Sequence, residues 1–517
     1  MSGALAKSNT VLQQKPTRIT LGNSENKGTL MNRSFIFFIL LNLYPGSGLL
    51  QTTNAQVPNR QKPNIIYILT DQWRASATGY AGDPNVKTPN IDALVKSSLN
   101  FKNAVSVTPV CTPHRAALMT GRYPTSTGVF LNDVHLPDEE LCIAEVFGKA
   151  GYNTGYIGKW HLDGNGRFSY IPVEKRQGFD YWKAAECDHD YNHSHYYTGL
   201  SNVKMFWNGY DVFDQTKDAQ QYIRTQVKSN KPFILFVAFG APHFPHQTAP
   251  KEYLDMYDEN TISLPSNVPE SLRQESKKEA KGYYAHCSAI DKSIGDILAT
   301  IDDAGIKENT IFIFTSDHGE MLGSQGVRPK TKQVPFGESA RVPFLLRYPP
   351  VTGNMGRLVQ MPVTTPDIFP TLLGLAKIPI PKSCEGNDLS SFIFRKQDDL
   401  HRAVLYMNIS PFIKQEFAIA YRAIKTYQYT YVRSIHGPWF LFDDISDPFQ
   451  MTNLLTDKSY YKLSKKLDTR LHKLLKRNDD EFQPGSFYLA KWGFHTDSNG
   501  SIPYSGDNIY QQTPRIN

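Results

Sequence analysis

The stretch Val110-Cys111-Thr112-Pro113-His114-Arg115-Ala116-Ala117-Leu118-Met119-Thr120-Gly121-Arg122 joins a nucleophile to a cation at short spacing. Pro113 suits the first turn of a helix, Ala116–Met119 are good helix formers and Gly121 is a stop, so Cys111 is predicted at a helix N-terminus. Free backbone amides and the positive end of the helix dipole favour an anion there, and Arg115, four residues on, can point back to it. A C-x5-R phosphatase loop is excluded, because position 117 is Ala117. A thiol hydrolase pairing Cys111 with His114 requires those two side chains to face each other, and nothing else in the chain supports it.

Other chemistry-bearing residues sit where apolar runs stop. Asn64–Thr70 (NIIYILT) ends in Asp71, Asn153–Ile157 runs into Gly158-Lys159-Trp160-His161, Pro232–Phe239 into Gly240-Ala241-Pro242-His243, and Thr310–Ser316 into Asp317-His318. Continuous apolar runs without alternation are expected of strands covered on both faces. Helical patterns lie between them at Asn90–Leu99, Asp138–Ala150, Asp218–Lys228 and Ala280–Gly305, the last closed by Gly. This alternation predicts an α/β fold, a large mostly parallel sheet sandwiched by helices. Ligands of such sheets sit outside the carboxyl ends of the strands, the edge to which all four runs deliver a His, Lys or Asp.

After about residue 390 the texture changes to Tyr/Phe-rich alternation (Phe417–Arg433, Trp439–Phe442) and a basic helix near Tyr460–Lys476. The predicted division is an N-terminal extension and signal peptide at 1–55, a catalytic domain at 62–390, and a smaller C-terminal α+β subdomain with an antiparallel sheet at 391–517. Phe35–Leu43, about nine apolar residues, is too short to span a bilayer and reads as the h-region of a signal peptide cleaved near Ala55. Its n-region begins at Met31, which makes Met31 a candidate start. Export to the periplasm or medium, without integral membrane association, is expected.

With 517 residues, 40% hydrophobic and 20% charged, the chain has globular proportions, which excludes fibrous and wholly disordered classes. Lys and Arg total 56 against 49 Asp and Glu, and the net charge of +7 reads as spread along the chain. That argues for an anionic substrate and against nucleic acid. Five cysteines without a CxxC pair make a disulfide scaffold or a thiolate zinc site a poor reading.

Cys111-Thr112-Pro113-His114-Arg115 followed by Leu118-Met119-Thr120-Gly121-Arg122 resembles the C-x-P-x-R signature of the type I sulfatases of the alkaline-phosphatase superfamily, whose most frequent form has Ser where this chain has His114. The resemblance covers roughly residues 62 to 455. It ends at Asp447-Pro448-Phe449-Gln450-Met451-Thr452-Asn453-Leu454, similar to the family's D-P-x-E-x-x-N-L with Gln450 in place of Glu. It implies that a formylglycine-generating or equivalent maturation enzyme oxidises Cys111 to formylglycine (3-oxoalanine). It also implies a calcium ion held by Asp71, Gln72, Asp317, His318 and residue 111. Lys159, His161, His243 and Lys332 match the family's sulfate-binding and acid/base residues. Lys332 is preferred to Lys330 because its spacing to Glu338 fits the family pattern.

Sulfate-ester hydrolysis needs charge neutralisation, a positioned nucleophile and a proton donor. On the implied mechanism a hydroxyl of hydrated formylglycine, acidified by the metal, attacks sulfur while Asp317 or a neighbour takes its proton. Arg115, Lys159 and Lys332 hold the sulfuryl oxygens, and His243 protonates the leaving alkoxide. The second hydroxyl then collapses to the aldehyde with His161 accepting its proton. The expected function is an exported sulfuric ester hydrolase acting on a sulfated polysaccharide or its oligosaccharides. The alternatives are a phosphodiesterase or phosphonate monoester hydrolase of the same superfamily, and a non-catalytic sulfated-glycan binding protein. Arg74, with Trp73, is a candidate sugar contact. The Glu186–Tyr196 segment, with His189, His193 and His195, reads as a second metal site, a substrate-contacting loop or a solvated loop.

Overall fold

The computed structural model describes residues 62–503, apart from positions 354 and 414. The expected signal segment Phe35–Leu43 and the cleavage point near Ala55 lie outside those residues. A ten-stranded sheet runs through the molecule in the order Arg357–Val359, Leu99–Phe101, Phe344–Arg347, Thr310–Ser316, Asn64–Asp71, Phe233–Pro242, Asn153–Lys159, Tyr181–Ala185, His195–Thr198, Met205–Phe206. Its centre is parallel, from Thr310–Ser316 through to Tyr181–Ala185. Phe344–Arg347 is antiparallel to both its neighbours, and so is His195–Thr198.

The unbroken apolar runs have a simple cause. Successive side chains of a strand point to opposite faces, and both faces here are covered. Ile65, Tyr67 and Leu69 enter one core with Phe236, Ile313 and Leu118, whereas Ile66 and Ile68 enter another with Phe314, Ile290 and Ile294. Three of the predicted helices differ mainly where they start. The helix expected from Ala280 begins at Arg273 and runs to Asp303, and the one expected from Asp218 begins at Asp211. The added first turns of the Arg273 helix, Arg-Gln-Glu-Ser-Lys-Lys-Glu, are polar and carry little apolar periodicity to announce them. Gly305 follows the first with φ +68°, a left-handed conformation that glycine adopts without strain. The third is shorter, Ile143–Lys149, because Glu145 accepts from the Cys142 amide at 2.7 Å and caps it there. Asn90–Leu99 is not one helix: a helix ends at Leu94 and Leu99 already belongs to a strand.

Beyond residue 390, Ala403–Asn408, Tyr421–Thr426, Tyr429–Ser434 and Gly437–Asp443 form an antiparallel sheet. The helix Tyr461–Arg477 buries Leu467, Leu471 and Leu475 in the core that also holds Leu405 and Ile424. Gln450 ties this part to the larger sheet's loops. Its Oε1 accepts from the Gly337 amide at 2.8 Å and its Nε2 donates to Asp444 at 2.7 Å. A Glu at 450 would set a carboxylate against Asp444, so the amide suits this chain. Among the described residues no helix is long and apolar enough to cross a membrane.

Candidate active site

Two neighbouring strands end in acids. The Asp317 amide donates to the Thr70 carbonyl at 3.1 Å, which locks the two strand ends in register beside each other. Asp317 Oδ1 then accepts from the amides of Gln72, at 3.0 Å, and His318, at 2.8 Å. His318 Nδ1 donates to the Gly319 carbonyl at 3.0 Å, which turns Nε2 toward the cluster, and although burial opposes charge, the adjacent Asp317 raises its pKa. The helix Cys111–Thr120 begins opposite, with Cys111 Sγ 3.3 Å from that nitrogen and 3.6 Å from Asp71 Oδ1. One ligand atom each from Asp71, Cys111, Asp317 and His318 lie within 4.8 Å of one another, all buried.

Three cations enclose this cluster. Lys159 Nζ is 2.6 Å from Asp71 Oδ2, and Lys332 Nζ is 3.1 Å from Cys111 Sγ and 3.3 Å from Gln72 Oε1. Gln72 is held in turn by Glu320, which accepts from its side-chain amide. Arg115 differs from the expectation that it grips sulfuryl oxygens. One terminal nitrogen bridges Asp71 and Asp317, at 3.3 and 3.2 Å, and the other donates to the Lys159 carbonyl at 2.6 Å. Its terminal nitrogens are thus taken up by two buried carboxylates and a carbonyl, which holds the strand ends bearing Asp71 and Asp317 together. Removing one partner from such a buried pair costs about 3–5 kcal/mol.

The field is uneven. Burial opposes charge on Asp71, yet Lys159 and Lys332 hold its carboxyl well below the usual range. Burial and the facing Asp71 push Asp317 upward, the mark of two carboxylates with too little positive charge between them. Burial and Asp71 also work against a Cys111 thiolate, but Lys159, Lys332 and His318 outweigh them. Paired carboxylates plus the Gln72 amide oxygen are hard donors, so the residues present fit a cation such as calcium, with His318 the softer member.

Two imidazoles near the cluster are shifted in opposite directions. His161 Nε2 meets Asp133 Oδ1 at 2.7 Å, and although burial disfavours charge, Cys187, Asp133 and Cys111 raise its pKa. His243 is driven well down by burial, Lys332 and the neighbouring His189, and its Nδ1 donates to the Phe244 carbonyl at 2.8 Å. His189 stacks on His243 with ring centroids 4.3 Å apart, and burial with Lys159 lowers it to about 3.

The remaining predicted residues are not gathered here. His195 is buried on Asp188 at 2.5 Å, and His193 is exposed and stacked on Phe206. Arg74 is buried, with its guanidinium on Ser76 and the Met321 carbonyl, and Trp73 is packed on Phe314. His114 bonds Ser106 and Thr365, at 2.9 and 3.1 Å, which takes it out of a dyad with Cys111. Lys330 pairs with Glu279 at 2.9 Å. Of the three readings of the Glu186–Tyr196 segment, the metal one has no support, since the Asp71 cluster is the sole group of its kind among the described residues. Asp133 and Glu320, which orient His161 and Gln72, were missed. Both lie close to motif residues in sequence, but neither position is periodic or spaced in a way that signals its partner.

Residues 63–378 match the family model described as sulfatase, and 330–477 that of the N-sulphoglucosamine sulphohydrolase C-terminal region. The chain is 51% identical over 444 residues to an ulvan-active sulfatase of Formosa agariphila, covering 86% of this chain and 87% of that protein. It is 30% identical over 481 residues to an endo-4-O-sulfatase of Bacteroides thetaiotaomicron, covering 81% and 93%. A solved structure from work on glycosaminoglycan metabolism by Bacteroides thetaiotaomicron is similar with a TM-score of 0.73 at 28% identity, covering 86% of this chain and 100% of that one.

Proposed function

Since the chain belongs to the sulfatase family, we propose that it is an exported hydrolase removing ester sulfate from a sulfated polysaccharide or its oligosaccharides. The observation that carries the reading is the buried cluster in which Lys332 contacts Cys111 and Lys159 contacts Asp71 of the carboxylate pair beside it. The names of the relatives, an ulvan-active sulfatase among them, support the substrate class. The apolar stretch Phe35–Leu43 supports export.

Calcium held by Asp71, Gln72, Asp317 and His318 with residue 111 would neutralise the carboxylates and acidify the nucleophile. Formylglycine, made from Cys111 by a maturation enzyme of the formylglycine-generating kind, would supply that nucleophile as a hydrated aldehyde. Lys159 and Lys332 hold the sulfuryl oxygens, and Arg115 keeps Asp71 and Asp317 in register.

The two histidines divide the proton transfers. A sulfate anion beside Lys159 and Lys332 offsets the cations that keep His243 neutral, so this ring takes a proton and delivers it to the leaving oxygen. Replacing Cys111 removes one of the groups that raise the His161 pKa, and this ring is the acceptor for the proton of the second hydroxyl. Asp133 fixes its orientation throughout.

The test is the mass of the tryptic peptide Asn103–Arg115 from the native host, together with turnover of an aryl sulfate against an aryl phosphodiester. Oxoalanine at position 111 and preference for the sulfate are expected. Unmodified Cys111 in exported protein, or preference for the phosphodiester, overturns the proposal.

A further inference from the structure

The whole chain carries a net charge of +7, yet the 17-residue helix Tyr461–Arg477 alone holds seven Lys or Arg against one acid, Asp468. Ser464, Leu467, Leu471 and Leu475 form the buried stripe, which leaves Lys462, Lys465, Lys466, Lys473, Lys476 and Arg477 exposed. Asp468 is turned toward the sheet, where it accepts from the Tyr431 hydroxyl at 2.7 Å and from Arg433 at 3.1 Å, so it does little to offset the outer face.

Two concavities share this helix. The first, of about 730 Å³, is lined by Tyr431, Tyr460, Tyr461 and Pro438, with Lys458 and Lys465 offset by Asp457 and Asp468, so its contribution is the aromatic surface. Tyr461 is 64% exposed, and Lys465 Nζ stands 5.6 Å from its ring centroid. The second, of about 210 Å³, takes Arg470 and Arg477 from the last turns and adds His401 and Arg402, the latter paired with Asp367 at 2.6 Å, beside Glu385 and Asp399. The helix is about 25 Å long at 1.5 Å per residue, and its 3.6-residue turn sets the two concavities on opposite flanks with the exposed Lys462, Lys466 and Lys473 between them. Tyrosine rings offer flat apolar faces with polar rims. Together with a row of cations they match a polymer of sugar rings that carries repeated negative charge.

We propose that this face is an exosite for an anionic sulfated polysaccharide chain, holding the polymer away from the Cys111 cluster while individual esters are cleaved. The inference rests on the substrate class proposed above. It adds that the polymer is gripped at a second place, built by the C-terminal sheet and its helix.

The test compares the full-length protein with a K462Q/K466Q/K473Q variant and, separately, with Y461A. All four side chains are exposed and none belongs to the Cys111 cluster. Binding of dextran sulfate, of a duplex DNA of equal charge and of phosphatidylserine vesicles is measured in 0.15 M salt, alongside turnover of 4-nitrophenyl sulfate. The expected result is about tenfold weaker dextran sulfate binding for the triple variant, a Y461A loss with dextran sulfate that DNA does not share, and unchanged 4-nitrophenyl sulfate turnover. Dextran sulfate binding unaltered in both variants overturns the exosite. Tighter binding of DNA or vesicles than of dextran sulfate assigns the face to another partner and also overturns it. Absent 4-nitrophenyl sulfate turnover with intact polymer binding instead strikes the catalytic reading and leaves the exosite standing.

Discussion

The ammonium of Lys332 stands 3.1 Å from the sulfur of Cys111, across 221 positions of chain, while Lys330, two residues earlier, points to Glu279 at 2.9 Å. Two lysines that sequence barely separates thus have different work. Lys332→Ala should lower kcat/KM on an aryl sulfate by at least about 100-fold, the loss expected when a preorganised charge leaves a dry site. Lys330→Ala should stay within about threefold. Steady-state kinetics of both variants decides it, and equal effects would remove Lys332 from the site.

Asp317 is pushed up because a second carboxylate faces it without enough positive charge between them. Calcium bound only by the folded protein should therefore raise Tm, by an increment that grows with its concentration. Chelation should reverse the rise. In Asp317→Asn the dependence on calcium should largely vanish, and differential scanning calorimetry with and without the ion reads this directly.

Glu279 accepts from His246 at 2.9 Å and pairs with Lys330, and these bonds lower it to about 2 against an ordinary 4.5. A depressed carboxylate contributes stability that is complete above its unfolded value and is lost as pH falls through the folded one. Glu279→Gln should be less stable than the wild type at pH 6 by about 1 kcal/mol, a figure held down by solvent screening. The gap should close between pH 4.5 and pH 2, as followed by urea denaturation.

Asp211 is the opposite case. It accepts from Ser194 at 2.8 Å, but burial without a cationic partner pushes it to about 7. A raised pKa gives stability that is present below the unfolded value of 3.8 and is lost as pH rises toward 7. Its Oδ1 and Gln215 Oε1 lack protein partners, and both residues line one small cavity beside Lys159. Asp211→Asn should accordingly be more stable than the wild type at pH 8, by about 1–3 kcal/mol, and no more stable at pH 4. Thermal melts at the two pH values test the crossing.

The amino-acid sequence by itself determined the architecture and the location of the site. Runs such as Thr310–Ser316 declare buried strands through local apolar continuity, and Pro113 with Gly121 brackets the helix that begins at Cys111. Strand ends then place Asp71, Lys159, His243 and Asp317 on one edge, because chain direction is shared in a parallel sheet. Only the tertiary structure decided where the side chains point. Arg115 turns to two carboxylates, Arg74 turns inward, Asp133 fixes His161, and His189 alone of its loop's three histidines joins the site, stacked on His243. Most of those choices are settled by partners distant in the chain, 28 positions for His161 with Asp133 and 202 for Arg115 with Asp317, and by the cost of burying charge without a counter-charge. The same holds for the basic face of Tyr461–Arg477, whose charges gather on one side because the helix packs its leucines against the sheet.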